Sequence, residues 1–363
     1  MDVPRRTTAV NDYPPTARQV HITEAVVRWY LSTHYGTPDD RGVTQNFCDP
    51  RRVGAFAVEA HAIAERDGAQ LFRLLVAVVM FQRRQDVQIA RILRSLEPAD
   101  VEELATPARL LQMIDTADCE NMRSTALLRE ACDLTKDPVT KEGRCGVNPD
   151  IQCHLKRHTV LLRRYGHFGK VPSSAALVIR EAGARDLAEM LAQVRASVRG
   201  KQARARALVD ALSRAWRISE KISAMFLSMV TNPDLTPGVD EWTDVDWRHF
   251  IVIDSNVDLF LSAIGYRGFM TYEARRWFLR EVSRRIDLST LRKGLRRDNP
   301  RIVQQAMFLF MSSTNRRAMP GDCMHSGTDA CARCPKELTQ ICPVRQGAPR
   351  RRRLPVVVSQ TRG

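Results

Sequence analysis

The sequence has little that would carry the chain out of a cell or into a membrane. Residues 1–20 (MDVPRRTTAVNDYPPTARQV) are polar and proline-bearing, without the apolar core of a secretory signal. No apolar run approaches the roughly 18 residues that a membrane helix needs. A cytoplasmic location is therefore expected, where thiols stay reduced and clustered cysteines read as metal ligands rather than disulfides. Acidic charge is also short: 41 Asp and Glu face 56 Lys and Arg, leaving a net charge of +15. A positive field of that size steers a protein toward polyanions, nucleic acid above all. There is no convincing alternation of apolar and polar residues for a strand, and no internal repeat.

What is present is helical. The stretch 71-LFRLLVAVVMF-81 is apolar all round, as a buried central helix would be. It is followed by 86-DVQIARILRSL-96, with Asp86 placed to cap a second helix. In 302-IVQQAMFLFM-311, Ile302, Val303, Ala306, Met307, Phe310 and Met311 share a face at a period of about 3.6. The stretch 218-ISEKISAMFLSMV-230 does the same with Ile218, Ile222, Met225, Phe226 and Met229. The expected fold class is all-α. Residues 1–20 and 346–363 are expected to be unstructured tails, the latter with a basic run, Arg350 to Arg353, that is either solvated or an arm for phosphates. Residues 133–172 hold many turn formers and read as an insertion into a helical domain.

The only Cys-x-x-Cys pair lies in 321-GDCMHSGTDACARCPKELTQICPVRQG-347, where the spacing is Cys323-x7-Cys331-x2-Cys334-x7-Cys342. The tight pair supplies two thiolates from one turn, and the outer two close a tetrahedron around a zinc ion or a four-iron, four-sulfur cluster. Spacing alone leaves both open. A further set, Cys132, Cys145, Cys153, His154 and His158, suggests zinc, since His154 and His158 are four apart and share a helical face. Against that, Cys153 and His154 are neighbours pointing differently and Cys132 is expected inside a helix, so loop cysteines and surface histidines are the simpler reading.

A four-cysteine loop that follows a long apolar helix and ends the folded chain resembles the iron–sulfur loop of the endonuclease III and adenine-glycosylase branch of the helix-hairpin-helix DNA glycosylases. The common spacing there is Cys-x6-Cys-x2-Cys-x5-Cys, and both outer gaps are longer here. Three more stretches carry the resemblance in family order. In 71-LFRLLVAVVMFQRRQDVQIARIL-93, Gln82 and Asp86 fall where the family has a glutamine and an aspartate-capped helix. The resemblance makes Gln82 a filler of the gap left by an extruded base; otherwise it is a polar residue in a turn. In 217-RISEKISAMFLSMV-230, Arg217 and Ser219 stand at the glycines of the phosphate-binding hairpin, and Lys221 falls on the nucleophilic lysine. Arg217 would then meet phosphate with charge in place of backbone, Ser219 would act as N-cap, and Lys221 is otherwise an exposed lysine on an amphipathic helix. In 250-FIVIDSNVDLFLSAIGY-266, Asp254 takes the place of the catalytic aspartate at a helix start, where a plain N-cap is the alternative. The connection 231–249 is longer than the family's, and between Cys323 and Cys331 no Lys or Arg is available to DNA.

The resemblance implies two helical lobes flanking a DNA-binding cleft: residues 71–254 in one, residues 21–70 with 255–345 in the other. It implies a monomeric, nucleoid-associated glycosylase that removes a damaged or mismatched base from double-stranded DNA. Asp254 and Lys221 would do the chemistry, Gln82, Arg217 and Ser219 would contact DNA, and Cys323, Cys331, Cys334 and Cys342 would hold a 4Fe-4S cluster. Whether strand nicking accompanies base removal stays open. The alternative is a non-catalytic iron–sulfur DNA-binding protein on the same scaffold.

Overall fold

The computed structural model describes residues 13–36, 45–82, 84–135, 145, 153–163, 166–236, 239, 242–319, 321–325 and 331–345. Every regular element among the described residues is helical, as expected of an all-α chain. No helix among them is long and apolar enough to cross a membrane.

The helix Gly68–Met80 starts where Asp67 accepts a hydrogen bond from the Gln70 N–H at 2.9 Å. Leu71, Phe72 and all of residues 74–80 are buried, so it is enclosed on every side. The helices Leu187–Ser197 and Glu220–Thr231 pack on it, and the helix Lys201–Ser213 packs between those two in sequence and in space. Elsewhere the helix Pro300–Met311 is the hub. Asn299 caps it with Pro300 at its first position, where a missing N–H costs nothing. Against it pack the helices Ala17–Thr33, Ser255–Ala263 and Tyr272–Arg284. The expected apolar face of this helix is buried, and Arg301, Gln304 and Leu309 are buried too. Asn299 Nδ2 donates to Asp234 Oδ2 at 2.6 Å and to Asn232 Oδ1 at 3.0 Å, tying this hub to the end of Glu220–Thr231. One continuous apolar cluster runs through most of these helices.

Three expectations need correction. The N-terminal tail is shorter than residues 1–20, because the helix Ala17–Thr33 begins inside it. Thr16 and Gln19 form a capping box, with Thr16 N–H to Gln19 Oε1 at 2.9 Å, a signal present in the sequence as T-x-x-Q. Residues 1–12 lie outside the described residues. Asp86 is not a cap: Gln85 holds the N-cap position of Asp86–Arg94, and Asp86 opens the helix itself. Ile218 is buried but precedes the helix Glu220–Thr231, which starts after a tight turn.

The segment 133–172 contains the helix His154–Leu161, a short turn Gly166–Gly169 and the start of Lys170–Glu181. Its Leu134 and Leu155 join Cys132, Ile114, Met122, Leu128 and Leu177 in a small separate cluster, while Leu162, Phe168 and Val171 pack into the main core. The basic run Arg350 to Arg353 lies outside the described residues.

Candidate active site

The turn between Lys201–Ser213 and Glu220–Thr231 carries the first of the expected residues. Arg217 has φ of 64°, a left-handed backbone that glycine adopts most cheaply. The position that the resemblance assigns to glycine thus has a glycine's conformation. Gln82, at the end of Gly68–Met80, donates its Nε2 to the Arg217 carbonyl at 3.2 Å and to the Val79 carbonyl at 2.8 Å. A side chain 135 residues away therefore fastens the turn. The Trp216 N–H donates to Ser174 Oγ at 2.6 Å and steadies it from the other side. Ser219 stands at the N-cap position of Glu220–Thr231, yet its side chain caps no backbone N–H.

Asp254 is the N-cap of Ser255–Ala263, and its Oδ1 accepts from the N–H groups of Asn256 and Val257, both at 3.0 Å. The strand-like lead-in is pinned by Tyr272, whose hydroxyl donates to the Ile251 carbonyl at 2.7 Å and accepts from the Ile253 N–H at 3.2 Å. From the same helix the buried Arg276 bonds Glu220 Oε1 at 2.5 Å, which locates the first turn of the helix bearing Lys221. One helix, Tyr272–Arg284, thus positions both the aspartate and the lysine.

Lys221 lies within electrostatic range of Asp254 without bonding to it. Burial pushes the Asp254 carboxyl above its ordinary value, against the opposing Val257 N–H and the Lys221 charge. Asp86 belongs to the same group. Burial raises its carboxyl as well, opposed by a hydrogen bond from Asn315 Nδ2 (2.9 Å) and by Lys221, and reinforced by the negative charge of Asp254. The result is two partly desolvated carboxylates and one lysine in mutual range. Asp86 was visible in the sequence, but only its helix-start role was; nothing local marks it as facing Asp254. Tyr272, Arg276 and Asn315 carry no signal in their own stretches.

Cys323, Cys331, Cys334 and Cys342 line a single cavity of about 670 Å³, together with Trp29, Leu338 and Arg316. Arg316 is 1% exposed. Its Nη2 donates to Cys323 Sγ at 3.0 Å, its Nε to Asp322 Oδ2 at 3.0 Å and its Nη1 to the Phe310 carbonyl at 3.1 Å. His34 Nε2 meets the same Asp322 oxygen at 3.0 Å, so helix Ala17–Thr33 and the cysteine loop are joined through a buried ionic chain. Burial alone would raise the Asp322 carboxyl; the bonds from His34 and Arg316 outweigh it and hold it at about 2. Asn315 and Arg316 are adjacent, one reaching Asp86 and the other Cys323. The short helix Ser313–Arg317 therefore links the carboxylate pair to the cysteine loop. Among the described residues no three ligating side chains are drawn together as a single ion would hold them.

The histidines expected at the surface are not there. His158 is fully buried, its Nε2 3.1 Å from Glu103 Oε1, and His154 Nε2 lies 3.2 Å from Ser173 Oγ. Cys132 is not inside a helix either; it follows Thr125–Glu130. Its neighbours include a residue the sequence reading omitted, Cys119. Burial pushes the Cys132 thiol up to about 12, Lys170 opposes this, and Cys153, Cys145 and Cys119 add to it.

Compared with known proteins, the chain matches no family model, no curated protein and no solved structure.

Proposed function

We propose that this protein is a DNA glycosylase with a 4Fe-4S cluster, acting on a damaged or mismatched base in double-stranded DNA. The observation that carries the reading is the convergence of Asp254 on Lys221, whose preceding turn at Arg217 is fastened by Gln82 from 135 residues away, in the order the resemblance requires. A plain N-cap needs neither a second half-buried carboxylate nor a lysine in electrostatic range. The cleft would lie between a lobe built on residues 71–254 and one built on 21–70 with 255–345, with the target base flipped into it.

In the reaction the bond from sugar C1′ to the base nitrogen breaks, the base leaves with the bonding electrons, and the sugar develops oxocarbenium character. Asp254, anchored by two backbone N–H groups, places negative charge beside C1′. Lys221, when neutral, attacks C1′ and yields a Schiff base; otherwise water attacks and only the base is lost. Asp86, held by Asn315, shares the site, and burial raises its carboxyl, with the Asp254 charge adding to the same effect. Arg217 would meet a phosphate through its side chain.

The residues of the loop fit a cluster. Four thiols of soft character face one cavity, and the buried Arg316 supplies the positive charge that a net-anionic thiolate cluster calls for. When bound, the cluster would supply a rigid crosslink that holds the loop, and through Asn315 the carboxylate pair, in place. Protein purified without oxygen should be yellow-brown with a broad shoulder near about 400 nm. Stoichiometric zinc in place of iron would contradict this.

Two measurements test the rest. Borohydride added during incubation with a panel of damaged duplexes should trap a covalent adduct if Lys221 is the nucleophile, and Lys221→Gln should abolish trapping and nicking together. Activity on none of the duplexes, with DNA binding retained, would favour the non-catalytic alternative. Binding itself should weaken steeply with salt, at a slope of about −0.9 per neutralised phosphate. A salt-independent affinity would remove DNA as the partner.

A further inference from the structure

We propose that Cys119, Cys132, Cys145 and Cys153 hold a second thiolate-bound metal centre, separate from the C-terminal loop. In sequence they run Cys119-x12-Cys132-x12-Cys145-x7-Cys153, with no Cys-x-x-Cys turn to announce a site. In space all four line one cavity of about 360 Å³, and none is in a disulfide. Eight of the nine cysteines thus fall into two groups of four, each group facing its own cavity.

A second observation points to what this cavity takes. Lys170 is fully buried, and its Nζ donates to the Cys132 carbonyl and stands 4.8 Å from the Trp216 ring centre. Among the described residues no carboxylate lies within salt-bridge distance of it, and the Asp133 carboxylate acts on it only from farther off. A buried ammonium without a paired anion is costly. Four thiolates around a divalent ion, or around a cubane core of charge +2, carry a net charge of about −2 and would offset it. The C-terminal loop also sets a buried cation against its thiols, Arg316 beside Cys323 and Cys342, although Arg316 is paired with Asp322 as well. The rest of the wall is mixed: Met113, Met122 and Leu134, which suit soft sulfur ligands, stand beside Asp118, Asn121 and Lys156.

The ligand set is sulfur only. His158 does not line the cavity and its Nε2 meets Glu103; His154 lines it with its Nε2 turned to Ser173. Cys153 occupies the N-cap position of His154–Leu161 without capping it, so its sulfur remains for the cavity, near the partial positive charge of a helix start that favours thiolate. Lys170 stacks on Trp216, the residue before Arg217, so a metal here would brace the hairpin turn from behind. The metal is one that thiolates select, iron in a cluster or zinc; a single zinc ion would require these thiols to close in, since among the described residues no three ligating side chains stand as one ion would hold them. The assignment does not depend on the glycosylase reading.

Metal analysis of the full-length protein tests it. Iron, zinc and acid-labile sulfide are counted per chain in the wild type, in Cys331→Ser/Cys334→Ser and in Cys119→Ser/Cys153→Ser, all purified anaerobically. The Cys119/Cys153 variant is expected to lose one centre and keep the metal that the Cys331/Cys334 variant loses. A loss of about four irons with four sulfides identifies a cluster, and a loss of about one zinc identifies a zinc site. An unchanged metal content in folded Cys119→Ser/Cys153→Ser overturns the proposal. If that variant does not fold, the other decides: metal remaining in Cys331→Ser/Cys334→Ser supports a second centre, and none remaining refutes it.

Discussion

Asp254→Asn is expected to lower base removal by roughly 10²–10³-fold or more, the scale on which removal of one preorganised charge or donor is felt in a dry site. The cap survives, because the side-chain carbonyl of Asn accepts from Asn256 and Val257 as Asp254 does, and Asn caps about as well as Asp. The charge does not survive. In the wild type the same burial that makes this charge effective also raises its pKa above 3.8, so activity should fall on the acid side through a pKa higher than that of an ordinary aspartate. The effect on stability has the opposite sign. A carboxyl with a raised folded pKa binds its proton more tightly in the native state, so stability declines as pH rises from 3.8 through the folded value. Asp254→Asn escapes that decline and should be at least as stable as the wild type at neutral pH. Single-turnover rates on a cleaved duplex, read beside thermal unfolding, check both halves. Undiminished base removal would return Asp254 to the role of a cap.

The second large effect is expected at Arg316. Arg316→Met leaves Asp322, which is fully buried, with His34 and the Met324 N–H but no arginine, and removes the N–H that bonds Cys323 Sγ. Breaking one side of a buried ion pair typically costs about 3–5 kcal/mol, since the remaining charge has no compensation. The variant should unfold at a markedly lower temperature and be purified with little iron. Asp322→Asn added to Arg316→Met should restore part of the stability by removing the orphaned charge. It should not restore the iron if Arg316 also balances the thiolates. In the wild type Asp322 is held at about 2, below its ordinary 3.8, so its contribution is full above 3.8 and is lost as pH falls toward about 2. Acid unfolding followed by circular dichroism should steepen across that window and lose the feature in the double variant.

The helices themselves were legible in the sequence, because burial on a helix follows a period that nearby residues express together. The apolar run of 71–80, broken only by Arg73, dictated a buried helix, and the face from Ile302 to Met311 dictated one that packs. Asp254 could be placed at a helix start from Val257 and Phe260 alone, and the Cys331–Cys334 turn marked its own loop. The capping box at Thr16 was equally local and was there to be read.

What the sequence could not express is contact across many residues, since no local periodicity records which helix end meets which. Asp86 reads as a helix start, and only packing brings Asn315, 229 residues later, onto its carboxylate beside Lys221 and Asp254. His34 and Asp322 are 288 residues apart and Gln82 and Arg217 are 135 apart, yet these bonds hold the cysteine loop and the hairpin turn. Cys119 joins Cys132, Cys145 and Cys153 because the chain returns through a small apolar cluster of its own. The sequence by itself determined the helices and the groups they could present; tertiary packing decided which of those groups share a low-dielectric space, and that sharing sets their charge and chemistry.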